Sequence, residues 1–146
     1  MPMGRRAEVL LVEDNEGDIE LTEMAFLQSR TPSRLWVSHN GQEALDFLMK
    51  KDSFGQSPTP DIILLDLNMP RMDGKTFLDV LKRDESLRII PVIVFTSSNA
   101  PKDIAEAYQK HANSYIIKPF SLEEYSEVVK QVEDFWIKLS QLPTVR

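Results

Sequence analysis

The stretch ILLDLNMP, Ile63 to Pro70, decides how the rest of this 146-residue chain is read. With Asp61 and Ile62 before it, the run is apolar on both faces, the pattern of a central strand in a parallel sheet covered on two sides. It stops at Asp66, with Asn68 and a proline close behind. A carboxylate closing a buried strand is costly unless something pairs with it. The partner of Asp66 is therefore the question put to the remaining sequence.

Working outward, short apolar runs alternate with amphipathic segments about five times. EVLLV (Glu8–Val12), RLWVSH (Arg34–His39), DIILLDL, PVIVFTS (Pro91–Ser97) and SYIIK (Ser114–Lys118) read as strands. Between them, EGDIELTEMAFLQS carries Ile19, Leu21, Met24, Ala25 and Leu27 near helical spacing. NGQEALDFLMKK reads as a second helix, opened by Asn40 with Glu43 three residues on, a capping box. DSFGQSPTP is a loop broken by glycine and prolines. A third helix is expected from about Lys75 to Lys82, after the turn MPRMDG. A fourth starts at Pro101, a favoured first-turn position for proline. A fifth starts at Ser121, with Glu124 completing another capping box. Five strands alternating with five helices predict an α/β fold of right-handed βαβ units, a parallel sheet with helices on both faces. In such sheets ligands bind beyond the carboxyl ends of the strands, at the switch point in strand order.

Length and composition narrow the class. The chain fits one domain, 1–146, with a core from about 7 to 138 and an extension over 139–146. Hydrophobic residues at 42% and charged residues at 27% are the balance of a soluble globular protein. A net charge of −6 argues against a protein whose main work is gripping nucleic acid, and Arg5 with Arg6 is too small a basic cluster to reverse that. Cysteine is absent, which excludes disulfides, zinc–thiolate sites and thiol catalysis. No apolar run approaches the roughly 18 residues of a membrane span. The apolar stretch after the two arginines is too short, and too soon acidic, for a signal peptide. A cytoplasmic location is the default expectation.

The strand ends hold the chemistry. The first strand closes with Glu13 and Asp14, the third with Asp66, the fourth with Thr96 and the fifth with Lys118, followed by Pro119. Taken singly, Asp14 reads as a helix cap, Thr96 as an ordinary strand-end residue and Lys118 as a surface lysine. Taken together, a doubly wound sheet brings three carboxylates, one hydroxyl and one ammonium to one rim. Two unit charges about 4 Å apart interact by roughly 4 kcal/mol at an effective dielectric near 20. A divalent cation relieves that repulsion, and oxygen-only ligands suit Mg²⁺ rather than zinc or copper. Such a site also welcomes a phosphoryl group, whose oxygens can share the metal and take bonds from Lys118 and Thr96.

The motifs VEDN, DIILLDLNMPRMDG, VIVFTSS and YIIKPF closely resemble the receiver domain of bacterial two-component response regulators, over nearly the whole chain from about Ala7 to Lys138. That resemblance implies the flavodoxin-like fold with strand order 2-1-3-4-5. It implies that Asp66 accepts a phosphoryl group from a sensor histidine kinase. By position, Asp14 is similar to the main metal-binding acid, with Glu13 acting directly or through water. Asp66 would add a metal ligand, and Asn68 its backbone carbonyl. Lys118 would bond a phosphoryl oxygen, across a Lys118–Pro119 bond expected to be cis. Thr96 would swing towards the phosphoryl group, and Tyr115 resembles the aromatic switch that follows it inward. The segment KKDSFGQSPTPD and the C-terminal VEDFWIKLSQLP resemble the single-domain regulators that partner phytochrome photoreceptor kinases.

Two rivals have weaker support. A phosphohydrolase with an aspartyl-phosphate intermediate wants a second acid two residues after the nucleophile, and Asn68 stands there. A flavin-binding module wants donors after the first strand, where EDNEGD is acidic. About ten residues follow the last helix, too few for an output domain, so the expected action is binding a partner or passing the phosphoryl group on.

In the last helix Leu122, Tyr125, Val129, Val132, Trp136 and Leu139 form a core-facing seam, with Val128 and Phe135 about 100° around from it. The simpler reading is a wide core stripe with the tail folded over it. The sharper one is an apolar patch for a kinase or for a homodimer, through this helix or through the face made by helix four, strand five and helix five. His39 and His111 read as structural or exposed, and Met24, Met49 and Met69 as gap-fillers.

Overall fold

The central runs of the chain are leucine, isoleucine and valine, whose packing suits a pleated sheet buried on both faces. A computed structural model describes residues 6–50 and 55–143, so part of the loop before the third strand, and Arg5, lie outside the described residues. The elements are β1 (Ala7–Val12), α1 (Glu16–Gln28), β2 (Ser33–Ser38), α2 (Gly41–Leu48), β3 (Ile62–Leu65), α3 (Gly74–Arg83), β4 (Val92–Thr96), α4 (Pro101–Gln109), β5 (Ser114–Ile117) and α5 (Leu122–Val132). The last helix runs on into a π-helical segment, Glu133–Leu139. All neighbouring strands are parallel, in the order β2-β1-β3-β4-β5.

Alternate side chains of each strand feed two cores. Leu10, Val12, Ile63, Leu65, Val92 and Val94 face α2, α3 and α4. Val9, Leu11, Ile62, Leu64, Ile93 and Phe95 face α1 and α5. Each such burial contributes about 1.5–3 kcal/mol for a Leu, Ile or Phe side chain, so the sheet centre is the most strongly determined part of the molecule. Helix starts are set by side chains: Asn15, Asn40, Asp73 and Ser121 each accept a backbone N–H from the first turn. No described helix is long and apolar enough to cross a membrane.

Helix α1 departs from the expected pattern. Thr22 and Phe26 point inward with Ile19 and Ala25, while Leu27 is 85% exposed and Met24 is also at the surface. Thr22 tolerates burial because its hydroxyl donates to the carbonyl of Asp18 at 2.7 Å. Met49 is likewise exposed, and of the three expected gap-fillers Met69 packs against a core.

The C-terminal seam is broken at Val132. A π turn takes one residue more than an α turn, so the inward face is redistributed after it. Glu133 and Ile137 go inside, Trp136 stays half-buried, and Leu139 is 75% exposed. Leu142 then returns to pack against the α1–α5 core, so the tail does fold over this face. Phe135 remains at the surface, its ring edge-on to Trp136 at 5.1 Å.

Candidate functional site

Sheet register places the strand ends on one rim. Val12 pairs with both Ser38 and Leu65, and Thr96 pairs with Ile117. The backbone ladder continues one residue further: Glu13 N–H donates to Ser38 O at 2.9 Å, Asp66 N–H to Val12 O at 3.0 Å, and Lys118 N–H to Thr96 O at 2.8 Å. Three candidate side chains, those of Glu13, Asp66 and Lys118, therefore leave from hydrogen-bonded backbone. Gly74 supports the same rim from below, its N–H donating to Leu67 O at 2.9 Å. A Cβ there would lie 2.3 Å from the carbonyl oxygen of Asp66 and 2.6 Å from Leu67 Cα, so α3 can start this close only at glycine.

The structure brings together most of the residues the sequence pointed to. Carboxylate oxygens of Glu13, Asp14 and Asp66 all lie within 4.8 Å of one another. Glu13 and Asp66 are buried, and Asp14 is exposed. Lys118, also buried, sets its ammonium 2.5 Å from Glu13 and 3.7 Å from Asp66. Burial pushes the Glu13 carboxyl up to about 7, with the Asp66 charge adding to the rise and Lys118 opposing it. For Lys118, burial pulls the pKa down, yet hydrogen bonds to Asp18 and Glu13 more than offset it and the net shift is upward.

Carboxylate oxygens alone, two of the three acids buried and one facing solvent, fit a hard divalent cation such as Mg²⁺ that keeps several waters. Asn68 follows on the exposed β3–α3 connection. Thr96 is fully buried, and its hydroxyl has no hydrogen-bond partner among the described residues. An unsatisfied buried hydroxyl costs about 1–3 kcal/mol, so this group is primed for an acceptor.

Tyr115 is half-buried in β5, and its hydroxyl donates to the carbonyl of Ser98 at 2.9 Å. Burial raises its pKa. Ser98 in turn donates to Asp103 at 2.5 Å. Asp103 and Glu106 both grip Lys75 of α3 at 2.7 Å. The β4–α4 connection is thus tied to α3 as well as to Tyr115. His39 is exposed beside Glu16 and Glu43, and His111 ends α4 in a left-handed conformation.

One expectation is corrected. The Lys118–Pro119 bond is not cis, since no described peptide bond is. An X–Pro bond prefers trans by about 0.5–1 kcal/mol, and the Lys118 side chain reaches Glu13 from that geometry.

Sequence reasoning also missed a residue. Asp18, in the first turn of α1, accepts the Lys118 ammonium at 2.8 Å and the Tyr125 hydroxyl at 3.1 Å. Its place as a first-turn acid of the helix that follows the first strand, three residues after the Asn15 cap, was the available clue. A cavity of about 500 Å³ lined by Gln28, Ser29, Arg30 and Lys130 lies away from the rim, between the end of α1 and α5.

Comparison with known proteins places this chain among relatives. The family described as the response regulator receiver domain matches residues 9–130. The probable methanogenesis regulatory protein FilR2 of Methanothrix harundinacea is 38% identical, the alignment covering 92% of this chain and 86% of that protein. Response regulator Rcp1 of Synechocystis sp. is 35% identical over 92% of each. The structure of Rcp1 in its Mn²⁺-bound form superposes with a TM-score of 0.87, covering 94% of this chain and 99% of that one at 34% identity. The phosphorylated cyanobacterial phytochrome response regulator RcpA superposes with a TM-score of 0.90, covering 96% of this chain and all of that one at 36% identity.

Proposed function

This chain belongs to the response regulator receiver family, and from that membership we propose that it is a phosphoacceptor signalling protein whose Asp66 takes a phosphoryl group from a sensor histidine kinase. The observation that carries the reading is the setting of Asp66. It is a buried carboxylate closing a central strand, beside two further acids, with a lysine ammonium and an unpartnered threonine hydroxyl on the adjacent rim.

In the proposed step an Asp66 carboxylate oxygen attacks phosphorus. An O–P bond forms, the P–N bond to the kinase histidine breaks, and that nitrogen keeps the electron pair. Glu13, Asp14 and Asp66, with the Asn68 carbonyl, would hold Mg²⁺, which supplies charge neutralisation on the transferring oxygens. Lys118 contributes a second positive charge to those oxygens. Thr96 offers its free hydroxyl to the phosphoryl group, drawing on the β4–α4 connection to which Tyr115 is bonded. Tyr115 then turns inward, and the surface of α4, β5 and α5 changes.

A phytochrome-type photoreceptor kinase is the proposed partner, supported by the likeness to RcpA, a cyanobacterial phytochrome response regulator. A homodimer is proposed through the α4–β5–α5 face, where Tyr108, Ile117 and Phe120 are exposed, or through the C-terminal segment, where Phe135 and Leu139 are. Sedimentation with and without a phosphoryl mimic tests it, and a monomer in both states removes it. The phosphoacceptor is tested by incubation with acetyl phosphate and Mg²⁺, followed by intact mass. A single phosphoryl adduct is expected on the wild type and none on Asp66→Asn. Sustained turnover of a small phosphate ester would instead favour the phosphohydrolase.

A further inference from the structure

Lys118 is held by two anions that stand in different relations to the site. Glu13 is one of the three clustered acids. Asp18 is not, yet its Oδ2 takes the ammonium at 2.8 Å. The distance to Asp66, 3.7 Å, is longer than a hydrogen bond, so the two close bonds of the lysine go to Glu13 and Asp18. Glu13 would be shared with any cation held by the acid cluster. Asp18 is the anion left to aim the lysine.

Asp18 is itself tied to the start of α1 and to α5. Its N–H donates to the Asn15 side chain at 2.9 Å, and its carbonyl accepts the Thr22 hydroxyl at 2.7 Å. Its second oxygen, Oδ1, accepts the Tyr125 hydroxyl at 3.1 Å. Tyr125 is buried on α5, with its ring edge-on to Phe95 at 5.5 Å. Phe95 is the residue before Thr96. An acid in a first helical turn interacts favourably with the helix dipole wherever it points. That general effect requires neither a lysine from β5 nor a buried tyrosine from α5 on the same carboxylate.

We propose that Asp18 is a positioning residue: it holds the Lys118 ammonium in place for a phosphoryl oxygen on Asp66, and through Tyr125 it couples engagement of that lysine to α5. This rests on the reading of Asp66 as phosphoacceptor. When Lys118 turns to the phosphoryl group, Asp18 loses a charged partner and its grip on Tyr125 changes. Helix α5 would then sense the site by a route separate from Thr96 and Tyr115.

The test uses the full chain as wild type, Asp18→Asn and Tyr125→Phe, with Asp66→Asn as control. Calorimetry measures Mg²⁺ binding and then beryllofluoride binding at saturating Mg²⁺. Spectra of ring-labelled tyrosine follow Tyr125, and hydrogen exchange follows α5. In Asp18→Asn, Mg²⁺ affinity is expected to change by no more than about threefold, because Asp18 supplies no ligand, while beryllofluoride affinity falls about tenfold. The Tyr125 signal shifts with beryllofluoride in the wild type and stays still in Asp18→Asn. In Tyr125→Phe, exchange in α5 no longer responds to beryllofluoride. Wild-type beryllofluoride affinity in Asp18→Asn overturns the positioning role, and a wild-type exchange response in Tyr125→Phe overturns the coupling. If Asp18→Asn does not fold, Asp18→Ser takes its place, and wild-type beryllofluoride affinity in that variant overturns the positioning role. A wild type that binds no beryllofluoride, or an Asp66→Asn control that binds it equally, overturns the phosphoacceptor reading itself.

Discussion

The backbone N–H of Lys118 donates to the carbonyl of Thr96 at 2.8 Å, so a lysine held by carboxylates and a hydroxyl with no partner close adjacent strands. The two side chains are primed in opposite senses. Lys118 has its positive charge already engaged by Glu13 and Asp18, whereas Thr96 has a donor unused. A group with several anionic oxygens on Asp66 would give Thr96 the acceptor it lacks and would compete with Glu13 and Asp18 for Lys118.

Thr96→Val removes the unpartnered hydroxyl and keeps the branched shape. The resting protein should gain about 1 kcal/mol, because no bond is lost and a buried unsatisfied group is removed. Urea unfolding should show a higher midpoint at unchanged slope. The same variant should lose the response of Tyr115 to beryllofluoride, read from its ring signals.

Glu133 gives a pH dependence remote from the rim. Burial raises its pKa above the ordinary 4.5, against the opposing bonds from Ser29 and Ser33. The folded protein therefore holds this proton more tightly than the unfolded chain does. Its contribution is favourable below about pH 4.5 and is lost as pH rises through the folded pKa. Glu133→Gln should flatten that fall and be the more stable protein at about pH 8, as measured by urea unfolding across the range.

Gly74→Ala drives a methyl group into the backbone of Asp66 and Leu67. The expected loss is about 1–3 kcal/mol of stability, as for other overpacked sites. Phosphoryl adduct formation from acetyl phosphate should fall with it, since the displaced residue is the nucleophile.

His111 follows α4 at φ 73°, and the next N–H, of Ala112, reaches back to Ala107 O at 3.0 Å, a Schellman arrangement. Its role is conformational, so His111→Gly should stabilise by about 1 kcal/mol. Thermal unfolding should move up by about 2–4 °C, with the phosphoryl adduct unchanged.

The alternation of strands and helices, their caps at Asn40 and Ser121, and the acids at the ends of β1 and β3 were legible in the sequence. All depend on short-range period and on chemistry within one turn. The strand order followed from the resemblance, and the sheet register then brought Glu13, Asp14, Asp66, Thr96 and Lys118 to one rim. The inward face of α1 was less legible, because Thr22 is buried on the strength of a bond to its own helix.

The sequence alone determined which residues close the strands and hence what chemistry the rim can hold. Only the tertiary structure decided what aims those residues. Asp18 meets Lys118 across 100 residues, and Glu133 meets Ser29 across 104. The π segment carries Glu133 inward to the hydroxyls of Ser29, just after α1, and Ser33 of β2, where the periodicity of α5 gave no sign of it. Contacts between side chains that far apart in sequence leave no local pattern; they exist because α1 and α5 cover one face of the sheet, and the side chains at the edge of that core must find partners there.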